Sequence, residues 1–183
     1  SISGRGQVVV FAGASGSLNQ RLLDVRGAMV GTVGEKLGSS LDGAGDFNGD
    51  GFDDVVVGAT SNAANGADTG RAYVFAGGAS PATTAAVTFS SSDTSGGNVT
   101  LLGHRAVGAG DVDGDGFDDV LIRAARAPAN VGREGGPGAV YLFRGAMSPS
   151  GSPAWTSIGA GTTQVNEYGY GLALRGGFRP RYF

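Results

Sequence analysis

Short runs of apolar residues bounded by glycine recur along this chain of 183 residues. The clearest are Val55–Val57 and Val120–Ile122, which consist entirely of branched side chains. Apolar and aromatic residues also stand between glycines at Gly70–Gly77 and Gly138–Gly145, and a similar segment, Gly6–Gly13, lies near the start. These runs are shorter than typical helices and rich in residues that favour strands. The pattern therefore predicts an all-β protein.

The strand pattern repeats at a spacing of 65 residues, the distance in sequence from Asp46 to Asp111. A weaker fourth strand is predicted in each repeat, at Val87–Phe89 and at Trp155–Ile158, after a loop rich in serine, proline or threonine. Four strands per repeat predict a four-stranded antiparallel sheet, which must stack on other sheets to bury its faces. Radial stacking of such sheets as the blades of a β-propeller is favoured over linear stacking in a solenoid.

The repeat divides the chain into two complete blades and two partial ones. The predicted units are 1–34, with the last two strands of a blade; 35–98 and 99–163, each a complete blade; and 164–183, with the first strand of another. In this register Gly177 replaces the first acidic residue of a third loop. Because a propeller closes with about four to eight blades, the chain is expected to be either a piece of a longer protein or a homo-oligomer completed through its partial terminal blades.

The composition excludes several classes of protein. Glycine is abundant, with 36 residues, but it follows no Gly-X-Y period, so a collagen is excluded. Cysteine is absent, which excludes a disulfide framework and thiolate chemistry. No run of lysine and arginine is present, so nucleic acid is not an expected partner. No apolar stretch is long enough to span a bilayer, so membrane insertion is not expected.

Two nine-residue loops of the same design carry more than half of the acidic residues. Asp46–Asp54 and Asp111–Asp119 share oxygen-bearing side chains at loop positions 1, 3, 5 and 9, with glycine at positions 4 and 6. Carboxylates at this density repel one another unless a cation lies among them. Ca²⁺ suits such a loop because it accepts about six to eight oxygen ligands in flexible geometry. The sequence therefore predicts two calcium sites, both structural.

Each loop supplies a set of predicted ligands. They are Asp46, Asn48, Asp50 and Asp54 with the backbone carbonyl of Phe52 in the first loop, and Asp111, Asp113, Asp115 and Asp119 with the backbone carbonyl of Phe117 in the second. The Phe52 ring is expected to pack into the core, and Gly51 to adopt a positive φ that turns the loop around the ion. Asp53 and Asp118 are expected to point away from the ion, because adjacent strand residues face opposite sides.

Three other interpretations of the loops are less consistent with the sequence. An EF-hand needs glutamate at position 12, where this chain has Val57 and Ile122, and it needs flanking helices. Plain β-turns would explain the Asp-Gly dipeptides, but two matching copies with four spaced oxygen ligands favour a metal site. Magnesium demands stricter octahedral geometry and retains several waters. Calcium therefore remains the predicted ion.

No catalytic constellation is predicted, so the protein is not expected to be an enzyme. His104 is the only histidine, and it occupies the repeat position of Ser39, as expected for a surface residue. Gly132–Gly138 is rich in glycine but lacks the Lys-Ser/Thr of a phosphate loop. Tyr73 and Tyr141 occupy equivalent repeat positions and are expected to pack in the core or between blades, rather than to form a carbohydrate-stacking surface.

With these segments placed, the chain resembles the FG-GAP repeats of integrin α-subunit β-propellers and their bacterial relatives. The resemblance rests on the order of Leu37–Leu41, Ala44–Asp46, the acidic loop, Asp54–Ala59 and Gly70–Phe75, and it covers most of residues 4–176. It implies a propeller with more blades than this chain holds. It also implies calcium in the hairpin loop between the first and second strands of a blade, away from the face that binds ligands.

The resemblance implies an extracellular adhesion or recognition module with structural calcium, and a protein or glycan ligand that the sequence does not identify. Calcium loops of extracellular modules are weak, on the order of 10⁻⁴–10⁻³ M, so an exported or cell-surface protein is expected. Two alternatives come from other classes of function. One is a structural repeat protein that assembles into rings or fibres, and the other is an accessory domain of a larger exported enzyme.

Overall fold

Ten strands occupy the regions where the sequence predicts them. The computed structural model describes residues 6–11, 21–26, 35–61, 69–90, 100–126 and 138–159. The strands are β1 (Gln7–Phe11), β2 (Arg21–Arg26), β3 (Leu37–Gly45), β4 (Asp54–Ala59), β5 (Arg71–Phe75), β6 (Val87–Ser90), β7 (Leu102–Gly110), β8 (Asp119–Ala124), β9 (Ala139–Phe143) and β10 (Trp155–Ile158). The described part of the chain contains no helix, so the all-β prediction is confirmed. It consequently also contains no helix able to cross a membrane. The predictions for 164–183, including Gly177, lie outside the described residues.

Each complete repeat forms a four-stranded antiparallel sheet in which every strand pairs with its neighbour in sequence. The first sheet has the order β3-β4-β5-β6, and the second has the order β7-β8-β9-β10. A third sheet pairs β1 with β2. Equivalent parallel bridges, Gly6 with Leu37 and Gly70 with Leu102, link each sheet to the next. The predicted four-stranded blade is therefore confirmed, whereas the exact unit boundaries at 34/35, 98/99 and 163/164 stay predictions.

Alternation along β4 gives the first blade two buried faces. Val56 faces the second blade and Val57 faces the β1–β2 sheet, because successive strand residues point to opposite sides. The core between the two blades comprises Ala44, Phe47, Val56, Ala72, Val74, Val87, Phe89, Leu102, Ala106, Val120, Ile122, Ala124, Ala139, Tyr141 and Phe143. Each large apolar side chain buried there contributes about 1.5–3 kcal/mol. Stacking of sheets, as the repeat predicted, therefore supplies the core.

The two tyrosines predicted to pack inside do so. Tyr73 is 1% exposed and Tyr141 is 8% exposed. The Tyr73 hydroxyl lies 3.4 Å from Glu35 Oε2, and burial, together with the Glu35 charge, raises the pKa of Tyr73 to about 12. Neither tyrosine is therefore available to stack on a carbohydrate, unlike Trp155 on β10, which is half exposed.

The inner strands of the two blades approach closely enough to bring the acidic loops together. β3 packs against β7. At Gly108 on β7, a Cβ atom would collide with the carbonyl oxygen of Gly43 on β3, so this contact requires glycine. The first acidic loop follows β3 directly, and the second follows β7. Close packing of these strands thus places both loops at the same edge of the stacked sheets.

Candidate metal centre

Each acidic loop forms the connection between the first and second strands of a blade. The first loop links β3 to β4, and the second links β7 to β8. In both hairpins the strand register shifts just before the loop, between Gly43 and Gly45 and between Gly108 and Gly110. This irregularity turns the chain out of the sheet at the same point in each repeat. The loops therefore begin from equivalent backbone positions.

The second loop gathers three carboxylates around one point. Asp111, Asp113 and Asp115 each offer a carboxylate oxygen, and these three oxygens lie within 4.8 Å of one another. Oxygens bound to a single Ca²⁺ at about 2.3–2.6 Å necessarily lie within roughly 5 Å of each other. The spacing of this donor set, which contains only oxygen atoms, therefore fits a single calcium ion.

The loop backbone curls around its own side chains to hold this arrangement. Asp111 accepts hydrogen bonds from the N–H groups of Gly114 (2.7 Å) and Gly116 (3.0 Å). Asp113 Oδ1 accepts from the N–H of Asp115 at 3.2 Å, and Asp115 Oδ1 accepts from the N–H of Phe117 at 3.0 Å. Each side-chain oxygen thus bends the chain a little further around the point where the carboxylates meet.

The first loop repeats three of these hydrogen bonds at the same loop positions. Asp46 Oδ2 accepts from the N–H of Gly51 at 3.1 Å. Asn48 Oδ1 accepts from the N–H of Asp50 at 2.8 Å, and Asp50 Oδ1 accepts from the N–H of Phe52 at 2.9 Å. Gly51 has φ +89, which confirms the expected positive φ. The same residue types at the same spacing therefore produce the same loop twice.

The aspartate at position 9 has a structural role that the sequence did not reveal. Asp54 is buried, and its Oδ2 accepts hydrogen bonds from the N–H groups of Phe47 (3.1 Å) and Asn48 (3.3 Å). Its Oδ1 accepts from the N–H of Gly77, at 2.8 Å, beyond the end of β5. Asp54 therefore connects the start of the loop to the following hairpin. The sequence feature that could have indicated this contact is the glycine that recurs two residues after the last phenylalanine of β5 and of β9.

The second loop contains the same connection. Asp119 is buried, its Oδ2 accepts from the N–H of Val112, and its Oδ1 accepts from the N–H of Gly145, both at 3.0 Å. Asp119 lies outside the group formed by the first three carboxylates. As a ligand, it would have to bind calcium while retaining these two hydrogen bonds, which a carboxylate can do because each oxygen has two lone pairs.

Burial raises the pKa values of both position-9 aspartates above the usual range. For Asp119, the charges of Asp113 and Asp115 add to this effect, while hydrogen bonds from the Val112 and Gly145 N–H groups oppose it. For Asp54, burial likewise comes first, and the charge of Asp50 adds to it. Nearby carboxylates thus disfavour ionisation of the buried one. A cation among them would reverse that effect, as the predicted site requires.

The expected packing of the position-7 phenylalanine is wrong. Phe52 is 50% exposed, whereas Phe47, at position 2, is fully buried. Phe47 continues the inward face of β3 into the core between the blades and meets Phe89 edge-on, with ring centroids 6.1 Å apart. Position 7 lies on the outer side of the loop, so a side chain there has no core to enter within its own blade. The backbone carbonyl of Phe52 stays a predicted ligand.

Among the residues that the structure describes, the second loop has a basic neighbour that the first lacks. Arg144 Nε lies 2.9 Å from Asp113 Oδ2. The corresponding residues of the first blade are Ala76 and Asn48. One loop therefore presents three carboxylates among its predicted ligands, and the other presents four carboxylates and one guanidinium. The predicted ligands of the first loop therefore carry the same net charge as the predicted ligands of the second loop taken together with Arg144.

Asp118, which was expected to point away from its own ion, reaches the other loop. Its Oδ2 accepts a hydrogen bond from the backbone N–H of Asp46 at 2.8 Å. The equivalent residue of the first loop, Asp53, is exposed. One of the two outward-pointing aspartates therefore joins the two acidic loops.

His104 is largely exposed, as predicted. Its Nδ1 lies 3.0 Å from a guanidinium nitrogen of Arg123, whose side chain is buried. Desolvation and the positive charge of Arg123 lower the pKa of His104. His104 therefore contacts the buried Arg123 side chain.

Repeated four-stranded blades, each with an oxygen-rich loop between its first two strands, define a class of β-propeller repeat. Residues 37–75 and 105–143 match the FG-GAP repeat family. The chain is also 33% identical over 150 residues to integrin alpha-4 of Xenopus laevis. That alignment covers 78% of this chain but only 13% of the relative. The chain therefore belongs to the integrin α-type FG-GAP repeat proteins.

Proposed function

We propose that this chain is a calcium-stabilised part of an extracellular β-propeller used for adhesion or recognition, with calcium in a structural role. The observation that supports this best is the convergence of Asp111, Asp113 and Asp115 in a loop whose bonding the first loop repeats. A cation would remove the repulsion among these carboxylates and hold the hairpin in one conformation. The site is not proposed to catalyse a reaction.

The proposed coordination uses the same loop positions in both sites. The ligands are Asp46, Asn48, Asp50, Asp54 and the Phe52 carbonyl in the first site, and Asp111, Asp113, Asp115, Asp119 and the Phe117 carbonyl in the second. Because the position-9 aspartate also binds the backbone of the next hairpin, an ion here would connect three segments of a blade. Its effect would be to stiffen the edge of the stacked sheets.

An extracellular location and a protein or glycan partner belong to the same proposal. Similarity to an integrin α subunit supports them. Weak extracellular calcium loops, on the order of 10⁻⁴–10⁻³ M, would be filled outside cells and largely empty in the cytosol. The partner is proposed to bind away from the calcium loops, because the loop carboxylates accept hydrogen bonds from the backbone of their own hairpins.

Thermal unfolding with and without calcium tests the structural role. At a calcium concentration 100 times the dissociation constant, each site would stabilise the fold by about 2.7 kcal/mol, which corresponds to roughly 5–10 °C in Tm. We therefore expect Tm to fall on addition of excess chelator and to recover with calcium. Asp50→Ala or Asp115→Ala should each remove part of the calcium-dependent shift.

Asp53→Ala is the matched control, because Asp53 is exposed and is not a proposed ligand. It should leave the calcium-dependent shift intact. Magnesium at the same concentration should restore less of the Tm than calcium does. A melting curve that chelator leaves unchanged would refute the structural calcium.

A further inference from the structure

The two acidic loops are joined by a reciprocal pair of hydrogen bonds, one from backbone to a side chain and one between backbone groups. The N–H of Asp46 donates to Asp118 Oδ2 at 2.8 Å, and the N–H of Asp118 donates to the carbonyl oxygen of Asp46 at 3.2 Å. Asp46 is the first proposed ligand of the first site. Asp118 stands between Phe117 and Asp119, the last two proposed ligands of the second site. The contact therefore joins the first residue of the first ligand set to the end of the second ligand set.

Tight packing surrounds these hydrogen bonds. The Phe117 ring lies over Gly49, where an added Cβ atom would collide with it. A Cβ on Gly45 would likewise overlap the Asp118 carboxylate. The carbonyl oxygen of Phe47 accepts a further hydrogen bond from the N–H of Ala146 at 2.9 Å. Close-packed contacts have low compressibility and transmit strain, so a displacement of one loop is expected to reach the other.

From this contact we infer that the two calcium sites bind cooperatively, with Asp118 as the positioning residue that couples them. The inference rests on the proposed calcium binding. An ion in the first loop fixes the backbone of Asp46, and Asp46 then holds Asp118 through the two hydrogen bonds. The Phe117 carbonyl and the Asp119 carboxylate are thereby placed for the second ion. By thermodynamic linkage, an ion in the second loop favours the first to the same extent.

The favourable sign of the cooperativity follows from the ordering of the shared contact. Ordering of the shared contact is required for both ions but occurs only once, so the second ion binds a partner that is already in place. Two cations would also repel each other across this contact. The Asp118 carboxylate adds negative charge at that point and offsets part of the repulsion.

Calorimetric titration of the full chain with calcium chloride, at fixed ionic strength, tests the coupling. Asp50→Ala disables the first site and leaves the second, whereas Asp115→Ala does the reverse. We expect each surviving site to bind calcium more weakly than it does in the unaltered chain, by about five-fold or more. If the two single-site isotherms simply add to give the isotherm of the unaltered chain, the sites are independent and the inference is wrong.

Asp118→Ala, combined with each single-site variant, tests the route. Each remaining site should then bind calcium with one affinity, whether the other loop is intact or disabled. Asp118→Asn keeps an acceptor oxygen for the Asp46 N–H but removes the negative charge, and it should restore much of the coupling, which an effect of charge alone would not predict. Asp53→Ala is the control, because Asp53 is the repeat equivalent of Asp118 and is exposed.

The outcomes separate the inference from the proposed function. Equal loss of coupling in Asp53→Ala and Asp118→Ala would overturn the role of the contact. Calcium binding that is present but additive would overturn the cooperativity alone. Absence of any calcium binding by the full chain would instead refute the proposed function. If Asp118→Ala fails to fold, the comparison of the two single-site variants with the unaltered chain still decides whether the sites are coupled.

Discussion

The two acidic loops share their internal hydrogen bonds but differ in their surroundings. In each loop, the N–H of position 6 donates to the aspartate at position 1, and the N–H of position 7 donates to the aspartate at position 5. The second blade covers the first loop, so that Phe47 is fully buried, whereas Val112 at the same position of the second loop is only partly buried. The loop conformation is therefore local, and its stability depends on the neighbouring blade.

The charged residues next to the two loops also differ. The first site has an amide, Asn48, at position 3 and Ala76 beyond the next strand, whereas the second has Asp113 and Arg144. Asp113 in place of Asn48 adds a negative charge, and Arg144 in place of Ala76 adds a positive one, so the net charge of the pair is unchanged. In the second loop, however, an arginine competes with the ion for Asp113. Two sites with the same loop design can therefore differ in affinity because of one residue outside each loop.

The largest expected effect concerns position 2, where Phe47 and Val112 are compared. Phe47→Ala should lower the free energy of unfolding by about 3–5 kcal/mol, because it leaves a cavity in the core between the blades. Val112→Ala should cost about 1 kcal/mol, because it removes two methyl groups from a partly buried site. Denaturant unfolding in saturating calcium measures both, and similar losses in the two variants would show that the loops are equally buried.

A smaller effect is expected at position 4, where Gly49 and Gly114 are compared. Both have positive φ, +76 and +81, so alanine should cost about 1–2 kcal/mol at either position through backbone strain. At Gly49 the new methyl group would also collide with the Phe117 ring, whereas the space around Gly114 is open. Overpacking typically adds about 1–3 kcal/mol. Gly49→Ala should therefore unfold at a lower denaturant concentration than Gly114→Ala, and equal midpoints would argue against the contact between loops.

The sequence predicted the features that depend on local residue types. Short β-branched and aromatic runs located the strands, and the spacing Asp-x-Asn/Asp-Gly-Asp-Gly located both hairpin loops between the correct strands. The positive φ of Gly51 was also predictable, because only glycine adopts it readily. These features recur in both repeats because they need no information from a neighbouring blade.

The features that the sequence did not predict depend on contacts between segments. Phe47 and Phe52 are five residues apart in one loop, and only the stacking of the second blade decides which ring is buried. The Asp118–Asp46 hydrogen bond crosses between blades, and the Arg144–Asp113 pair joins a strand end to a loop. Such contacts follow from the position of one repeat on another, which repeat alignment alone does not provide.

The smallest expected effect concerns Arg144, whose positive charge lies beside the Asp113 carboxylate and opposes the binding of a cation there. Arg144→Ala should raise the calcium affinity of the second site by roughly two- to five-fold, because an exposed ion pair contributes at most about 1 kcal/mol.

Asn48→Asp combined with Ala76→Arg should give the first site the surroundings of the second, and Asn48→Asp alone should raise the calcium affinity of the first site. Titration of Arg144→Ala in the Asp50→Ala background, where only the second site binds, should show the effect. Titration in the Asp115→Ala background, where only the first site binds, should show none. Because Arg144 acts through charge, its effect should shrink as ionic strength rises. An effect of Arg144→Ala that is the same at both sites, or independent of salt, would show that the arginine does not compete with the ion.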